Sequence, residues 1–372
     1  MAAPVKEILA ALEAKWPHVW ALPEDRVGLQ VGDPEKPVDR LLVALEASEA
    51  VVEEARSRGA GLLLTHHPLI YRPLEEIRED QAAGSLLALV IRAGLAVACC
   101  HTNLDVAPGG LNDHLAHMLK LTQVEPLAEV GSEPYCKLTV FVPVGYEEQV
   151  RQALFLEGAG VIGNYRHCSF AARGQGTYLP LAGARPFKGE IAELSRAEES
   201  RLEVLVPESR LAAAVSALKA AHPYEEVAFD LYPLKNPGKP LALGRVGRWP
   251  EPLAWEAAVA RLKEAFGTPA VRLWGRPPAV VDKVAVLGGS GGDLAAQAHG
   301  KGAQLFVTGE VRHHQITPWA WEDFAVAEMG HFASEVIFMP AWGEQIKELF
   351  KERNLDVEVL VAAGERPPCA YI

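Results

Sequence analysis

The chain has 372 residues, of which 49% are hydrophobic, and a formal net charge of −12 at pH 7. This length and composition favour two compact domains with substantial cores. Nucleic-acid affinity depends largely on Lys and Arg side chains that displace counterions from phosphates, so the acidic balance disfavours broad DNA binding.

The cysteines and the apolar segments indicate in which cellular compartment the protein resides. The five cysteines include no C-x-x-C pair and are odd in number, which argues against a disulfide framework. No apolar stretch is long enough to span a bilayer. The first residues form an amphipathic helical pattern instead of the apolar core of a signal peptide. We therefore expect a cytoplasmic protein with no membrane partner.

Two distant segments, 38–67 and 281–314, share one pattern of strand, turn, helix and strand. In each, a short apolar run precedes a helical stretch that ends near Gly59 or Gly302. A second buried run then meets a histidine pair. The pattern predicts two βαβ units that present polar side chains at the carboxyl ends of their strands, where open α/β sheets bind ligands.

After a further strand, each half closes with a histidine and a carboxylate four residues apart. These pairs are His101 with Asp105 and His331 with Glu335. We interpret the halves as a pseudo-symmetric α/β main domain, with a sheet or sheets flanked by helices and one shared cleft.

The intervening stretch has a different pattern, in which an alternating strand ending in Val-Pro leads twice into an amphipathic helix. Two such units predict a small α+β domain with a mixed or antiparallel sheet. We assign it to residues 131–236 as an insertion, with the main domain formed by residues 1–130 and 237–372.

The motif THHP, at the end of a buried apolar run, supplies two metal donors. Adjacent residues on an extended strand point to opposite sides, so His66 and His67 share one metal only if the chain turns, as Pro68 favours. Otherwise they serve two metals. The alternative is that one histidine packs in the core and the other lies on the surface.

The positions of Asp105, His331 and Glu335 beside predicted strands and helices favour metal binding. An ionised Asp105 beyond an apolar strand requires a cation or several donors, although a helix cap before the predicted helix 112–119 is an alternative. His331 and Glu335 share a helical face if a helix begins there, and the alternative is a solvated helix start.

Five donors with two carboxylates exceed the usual tetrahedral catalytic site, so we favour two divalent ions, with Asp105 and Glu335 as candidate bridges. Mixed imidazole and carboxylate donors suit Zn, Fe, Mn or Co. Such a site deprotonates water for attack on an ester, amide or phosphoryl centre. His101 and His314 are candidate proton-transfer or orienting residues, unless they are buried histidines that donate to backbone carbonyls.

The glycine-rich turn LGGSGGDL is predicted to lie between a strand and a helix, where backbone N–H groups can hold an anion. The candidate anion-binding residues are Gly288, Gly289, Ser290 and Gly291. No Lys-Ser or Lys-Thr follows, so the turn is not a P-loop. A tight strand-to-helix turn is the alternative explanation for the glycines.

The main domain resembles the NGG-interacting-factor-three-like family of dinuclear-metal proteins, often labelled GTP cyclohydrolase I type 2 homologs. The matching motifs are DRVGLQVG, LLLTHHPLIY, HTNLDVAPGGLND, VTGEVRHH and MGHFASEV. By this similarity, two metals are held by His66, His67, Asp105, His331 and Glu335. The sequence departs from the family pattern at Arg26, where Asn is usual, and at Glu46 and Glu310, where Asp is usual or common.

The resemblance also extends to the inserted block, through GNYRHCSF and AHPYEEVAFDLYPL. It implies a module similar in fold to the signalling and copper-tolerance trimers of ferredoxin-like topology. Family members form ring-shaped hexamers, which implies a homohexamer with a toroidal shape.

We consider two functions from different classes. The first is a metal-dependent hydrolase acting on a small phosphorylated or heterocyclic, nucleotide-like substrate, as the family label suggests. The second is a non-catalytic regulatory or metal-handling protein that binds a ligand or partner through the inserted domain. No residue pattern identifies guanine or ribose as a substrate group.

Overall fold

The structure, a computed structural model, describes residues 2–319 and 323–369. The chain forms two compact units. The first combines Met1–Gly131 with Pro240–Ile372, and the second is Ser132–Lys239. Within the described ranges, no helix is long and apolar enough to cross a membrane.

The described strands and helices alternate along most of the chain. The strands are β1 (Ala3–Pro4), β2 (Gly28–Val31), β3 (Pro37–Val38), β4 (Arg40–Ala44), β5 (Leu62–Thr65), β6 (Ala96–Cys99), β7 (Thr122–Ser132), β8 (Tyr135–Pro143), β9 (Ser169–Tyr178), β10 (Ser195–Pro207), β11 (Phe229–Pro233), β12 (Pro240–Ala254), β13 (Arg272–Gly275), β14 (Val280–Ser290), β15 (Leu305–Glu310), β16 (Ala325–Glu328) and β17 (Glu358–Val361). The α-helices are α1 (Val5–Lys15), α2 (Glu49–Ser57), α3 (Ala82–Arg92), α4 (Thr102–Val106), α5 (Leu111–Met118), α6 (Glu147–Leu156), α7 (Leu211–Ala221), α8 (Trp255–Phe266), α9 (Ala295–Gly300), α10 (His313–Ile316), α11 (His331–Val336) and α12 (Met339–Glu352).

The first half of unit 1 is built on a five-stranded sheet in the order β17-β4-β5-β6-β2. Strands β4, β5 and β6 are parallel, and β5 and β6 are buried along their whole length. Continuous apolar runs are typical of parallel strands covered on both faces. Successive residues of β4 pack into different cores, Leu41 with residues of α1 and α12 and Leu42 with residues of α2 and α3. The prediction of a sheet flanked by helices is confirmed.

The second half of unit 1 contains a six-stranded sheet in the order β13-β16-β15-β14-β12-β7. Strands β14, β15 and β16 are parallel, as β4, β5 and β6 are in the other sheet. Helices α2 and α9 end just before Gly59 and Gly302, whose φ angles of 70° and 75° are left-handed and stop each helix. The two predicted βαβ units are therefore confirmed, one in each sheet.

Unit 2 has the chain order β8, α6, β9, β10, α7, β11 and one antiparallel sheet in the order β11-β8-β10-β9. Each predicted strand ending in Val-Pro leads into a helix, β8 into α6 and β10 into α7. Alternate residues of β8, including Leu138 and Val140, form the core with Leu154 of α6 and Leu218 of α7. The two helices thus cover one face of this sheet.

Candidate metal centre

The histidine pair lies directly after β5, where the chain leaves the sheet. The hydroxyl of Thr65 donates to the carbonyl of His67 at 2.7 Å, which stabilises the turn away from the strand. The imidazole centroids of His66 and His67 are 5.3 Å apart. Both Nε2 atoms face Glu335, but they lie closest to different oxygens of its carboxylate. The pair therefore converges on one group instead of pointing to opposite sides of the strand.

His66 is buried, and a backbone contact fixes its tautomer. Its Nδ1 lies 3.0 Å from the carbonyl oxygen of Cys100, so Nδ1 carries the proton in the neutral ring. Nε2 then presents its lone pair, 3.6 Å from Oδ1 of Asp105 and 3.8 Å from Oε1 of Glu335. This orientation suits a metal ligand.

Asp105 lies within the short helix α4 and does not cap the following helix, whose N-cap is Gly110. The helix-cap alternative is therefore wrong. The buried amide of Asn112 donates to the Asp105 backbone carbonyl at 2.9 Å and so holds α4 in place. Burial raises the pKa of Asp105, against the opposing effect of His66. Its ionised form requires a nearby cation.

His331 and Glu335 lie one turn apart on α11, which begins at His331, so the condition for a shared helical face is met. Oε2 of Glu335 is 2.9 Å from Nε2 of His67 and 3.2 Å from Nε2 of His331. Burial by itself raises the pKa of Glu335, but contacts with the histidines outweigh it and hold that pKa well below its usual range. Glu335 is thus an ionised, buried carboxylate between two groups of donors.

His101 joins this cluster, and its partner Asp25 is a functional residue that the sequence analysis missed. The His101 ring centroid is 5.2 Å from that of His66, and its Nδ1 is 2.8 Å from Oδ1 of Asp25. Thr102 donates its backbone N–H to the other Asp25 oxygen at 3.0 Å. Asp25 therefore orients His101 as carboxylates orient metal-site histidines. Asp25 opens the DRVGLQVG motif, so the resemblance marked its position, but nothing in the sequence indicated that its carboxylate contacts His101.

The donors around Glu335 fall into two groups. The inner set is His66, His101 and Asp105, and the outer set is His67 and His331. Each outer imidazole also has a carboxylate near its Nδ1 atom, Glu46 at 3.7 Å from His67 and Glu310 at 3.6 Å from His331. These are the two glutamates at which the sequence departs from the family pattern. They face the ring atoms that point away from Glu335.

The cluster fits divalent metal ions. Three buried atoms that face its centre, His66 Nε2, Asp105 Oδ1 and Glu335 Oε2, make no well-directed hydrogen bond within the described part of the chain, although Oε2 lies within ion-pair distance of two imidazoles. Buried polar atoms without well-directed hydrogen bonds are costly unless a cation joins them. Ligand atoms of His66, His67 and His101 group together, as do those of His67, His331 and Glu335. Both groups can hold a metal ion.

The carboxylates of the cluster raise the pKa values of the outer histidines, so a metal ion competes with protons there. Burial lowers the pKa of His67, but the carboxylates of Glu335 and Glu46 outweigh burial and raise it to about 10. The Glu335 contact raises the pKa of His331 as well. Without metal, a protonated His67 therefore offsets carboxylate charge, and metal uptake at this residue must release its proton.

His314 is not brought to this centre. It lies on α10 and is exposed, and neither donor group includes it. The sequence paired it with His313 through the repeat, but both lie on the short helix α10 after β15 and neither belongs to a donor group of the described residues. The similarity of the two halves therefore does not extend to the positions of their histidine pairs.

The glycine-rich turn supports the metal cluster and offers few free donors to an anion. Ser290 is exposed at the end of β14. The other three candidate residues donate their backbone N–H groups to protein acceptors: Gly288 to Asn112 Oδ1 at 3.1 Å, Gly289 to Ser334 Oγ at 3.0 Å and Gly291 to the Glu310 carbonyl at 3.3 Å.

Gly289 has a specific reason to be glycine. Its φ angle of 66° is left-handed, and a Cβ atom there would collide with Oε1 of Glu335. The same Cβ would lie 3.5 Å from Nε2 of His331. The glycine therefore leaves room for two of the predicted metal ligands.

Comparisons with known proteins agree across the whole chain. A family model described as Duf34/NIF3 (NGG1p interacting factor 3) matches residues 3–368. The chain is 40% identical over 359 residues to the GTP cyclohydrolase 1 type 2 homolog of Halalkalibacterium halodurans, with 96% of each chain covered. It is 38% identical over 367 residues to the Bacillus subtilis protein of the same name, covering 99% of this chain and 98% of the relative.

Solved structures show the same relationship. A Bacillus cereus protein related to NIF3 has a TM-score of 0.86 and 37% identity over 100% of both chains. A Staphylococcus aureus protein is similar in fold, with a TM-score of 0.71 and 24% identity over 100% of this chain and 99% of that one.

Proposed function

The chain belongs to the Duf34/NIF3 family, and on that premise we propose that it binds two divalent metal ions and is a metal-dependent hydrolase. One observation carries the proposal. The two oxygens of the buried Glu335 carboxylate face different histidines, Oε1 towards His66 and Oε2 towards His67 and His331. A single carboxylate between two donor groups is the arrangement expected of a bridging ligand.

The inner ion would be held by His66, Asp105 and Glu335, and the outer ion by His67, His331 and Glu335. Zn, Fe, Mn and Co suit these donors. Bound there, the ions would polarise the substrate and lower the pKa of water. Asp25 fixes His101 with Nδ1 as the donor, which leaves Nε2 available to accept a proton at the centre. His314 has no part in this proposal.

For the substrate we propose a small phosphorylated or heterocyclic compound of the nucleotide class. The relatives' name, GTP cyclohydrolase 1 type 2 homolog, motivates this choice. The test is metal analysis of the purified protein together with turnover of a nucleotide panel. We expect about two metal ions per chain, as in two-metal hydrolytic sites, and metal-stimulated turnover of at least one compound.

The matched variants are Asp105→Ala, which removes a proposed ligand, and Asp39→Ala, which removes an exposed carboxylate of the same type. Asp105→Ala should abolish turnover and Asp39→Ala should not. Two metal ions per chain without turnover of any compound would favour the second function, a regulatory or metal-handling protein. Failure to bind metal would contradict the hydrolase and the metal-handling function, and would leave only a regulatory protein that acts through unit 2.

We further propose that the chain forms a homohexameric ring and that unit 2 has ferredoxin-like topology. The second point is supported by its β-α-β-β-α-β order and its antiparallel sheet. Native mass spectrometry tests the first point, and a monomer or dimer at working concentration would contradict it.

A further inference from the structure

Unit 2 contains a cavity of about 430 Å³ that the proposed metal chemistry does not use. This volume lies within the range of small-molecule sites. One wall is formed by the AHPYEE motif, which follows α7. The other is formed by the end of β9 and the loop 179–194 that leads into β10. Residues of the motif therefore line a cavity, which the family resemblance alone did not indicate.

A buried carboxylate lines the cavity. Glu199 on β10 is only 8% exposed, and its Oε1 accepts a hydrogen bond from the Tyr224 hydroxyl at 3.0 Å. Gly176 on the neighbouring strand makes room for this side chain, because a Cβ atom there would collide with the Glu199 carboxylate. One hydroxyl donor is little compensation for a buried negative charge, so the carboxylate favours a cationic partner.

Aromatic rings surround the same space. The Tyr224 ring lies 5.8 Å from that of Phe187 and 6.5 Å from that of Tyr178, centroid to centroid, at interplanar angles of 45° and 55°. The Tyr178 hydroxyl donates to the carbonyl of Lys188 at 2.5 Å. Both tyrosine hydroxyls are therefore engaged by the protein, which leaves the rings to line the cavity. Aromatic faces attract organic cations within about 6 Å of the ring centroid.

His222 of the motif holds Tyr224 in place. Its Nδ1 accepts the backbone N–H of Tyr224 at 3.1 Å, so its Nε2 carries the proton and donates to the Phe141 carbonyl at 3.1 Å. The two rings are 5.0 Å apart at 74°, edge to face. Both nitrogens are used by the protein, so His222 positions the aromatic wall.

The charge of the lining has one sign. Glu225 and Glu226 join Glu199 along the wall, and no lysine, arginine or histidine is among the described residues that line the cavity. Leu179 and Leu181 add an apolar rim and are 50% and 69% exposed. We propose that this cavity binds a small organic cation, with its ammonium group between the aromatic faces and Glu199 and its apolar part against the leucines.

A metal ion is a poorer fit than an organic cation. Metals require several converging donor atoms, and the donor groups found in the described residues all belong to unit 1. Two apolar side chains and three aromatic rings give a metal no ligands. The same walls suit an alkylated ammonium, which is weakly hydrated and is attracted to ring faces.

The experiment is a calorimetric titration of the full-length protein with choline and with 3,3-dimethylbutan-1-ol, its uncharged analogue of the same shape. We expect choline to bind about tenfold more tightly, because only the cation interacts with the ring faces and the carboxylate. Equal affinity for the two probes, or no choline binding at millimolar concentration, would overturn the proposal.

Glu199→Gln removes the charge while its amide oxygen can still accept from Tyr224, and we expect choline affinity to fall by about tenfold or more. Glu198→Gln is the matched control, because Glu198 is the exposed neighbour that contacts Gln175. If Glu199→Gln does not fold, Phe187→Ala replaces it, since Phe187 is 50% exposed. Unchanged choline affinity in a folded Glu199→Gln or Phe187→Ala variant would contradict the assignment.

Discussion

The inner and outer sets differ in their access to solvent. The side chains of His66, Asp105 and His101 are 1%, 14% and 22% exposed, whereas those of His67 and His331 are 24% and 36% exposed. Glu335 lies between the sets and is 5% exposed. An ion held by His66, Asp105 and Glu335 would be largely enclosed by protein, and one held by His67, His331 and Glu335 would have an open side. Structural sites are usually closed and catalytic sites open, so the comparison favours the outer position for substrate contact.

The two sets also differ in their origin along the chain. All three inner donors come from the first half of unit 1, whereas the outer set takes His67 from the first half and His331 from the second. The inner position is therefore largely defined by one sheet. The outer position depends on how the two halves meet at Glu335.

Glu335→Gln should have the largest effect, because it removes the one carboxylate that faces both sets. We expect metal affinity to fall by more than about 100-fold at both positions, beyond the loss typical of orienting residues. Metal analysis after dialysis should find close to no bound metal. Glu344→Gln is the control, since Glu344 is an exposed glutamate paired with Lys347. Retention of one tightly held ion would show that Glu335 does not bridge.

His331→Ala should separate the two sets. It removes a donor from the outer set alone, so the metal content should fall from about two ions per chain to about one, and turnover should be lost. The remaining ion should resist a chelator better than the lost one, because it lies in the buried set. Loss of both ions together would contradict the division into two positions.

Asp25→Asn and Glu46→Gln form a matched pair of smaller changes, each to an orienting carboxylate. Asp25 orients His101, the proposed proton acceptor beside the inner ligand His66, so its variant should weaken the inner position by about tenfold and lower turnover as well. Glu46 lies farther from its histidine, at 3.7 Å, so its variant should weaken the outer position by less. Competition with a chelator of known affinity measures both. The comparison fails if either variant affects the two positions equally.

The pH dependence of metal uptake should be the mildest effect. The pKa of His67 in the metal-free protein is raised to about 10, so the ring is protonated at neutral pH and its ion pairs are lost only as the pH rises through that value. A metal must displace this proton, and outer-site affinity should fall by about tenfold per unit of falling pH. Proton release in weakly buffered solution checks this. No net release on metal addition would contradict it.

The parallel strands could be predicted from the sequence because the patterns that mark them lie within short segments of the chain. Buried apolar runs end near left-handed glycines such as Gly59 and Gly302, and these signals need no distant partner. The sequence did not predict that the two halves would form separate sheets. Strands such as β7 and β13 complete the second sheet at its edges, and their exposed residues carry no clear periodic signal.

The candidate site was predicted through its donors but not through their supports. His66, His67, Asp105, His331 and Glu335 stand beside buried strands or at a helix start, where a polar group is conspicuous. Asp25 was missed because its contact with His101 spans 76 positions of the chain. His314 was overvalued because a repeat in sequence does not fix the direction of the chain after a strand.

In the sequence, the second unit is inserted between the two halves of the first, and this order has a consequence for biosynthesis. His66, His67, His101 and Asp105 precede residue 132, whereas His331 and Glu335 follow residue 239. A ribosome translates the whole second unit after the early donors and before the carboxylate that joins both sets. A nascent chain that stops short of residue 335 therefore lacks the Glu335 carboxylate that faces both sets of donors. The complete candidate metal centre can form only after translation has passed that residue.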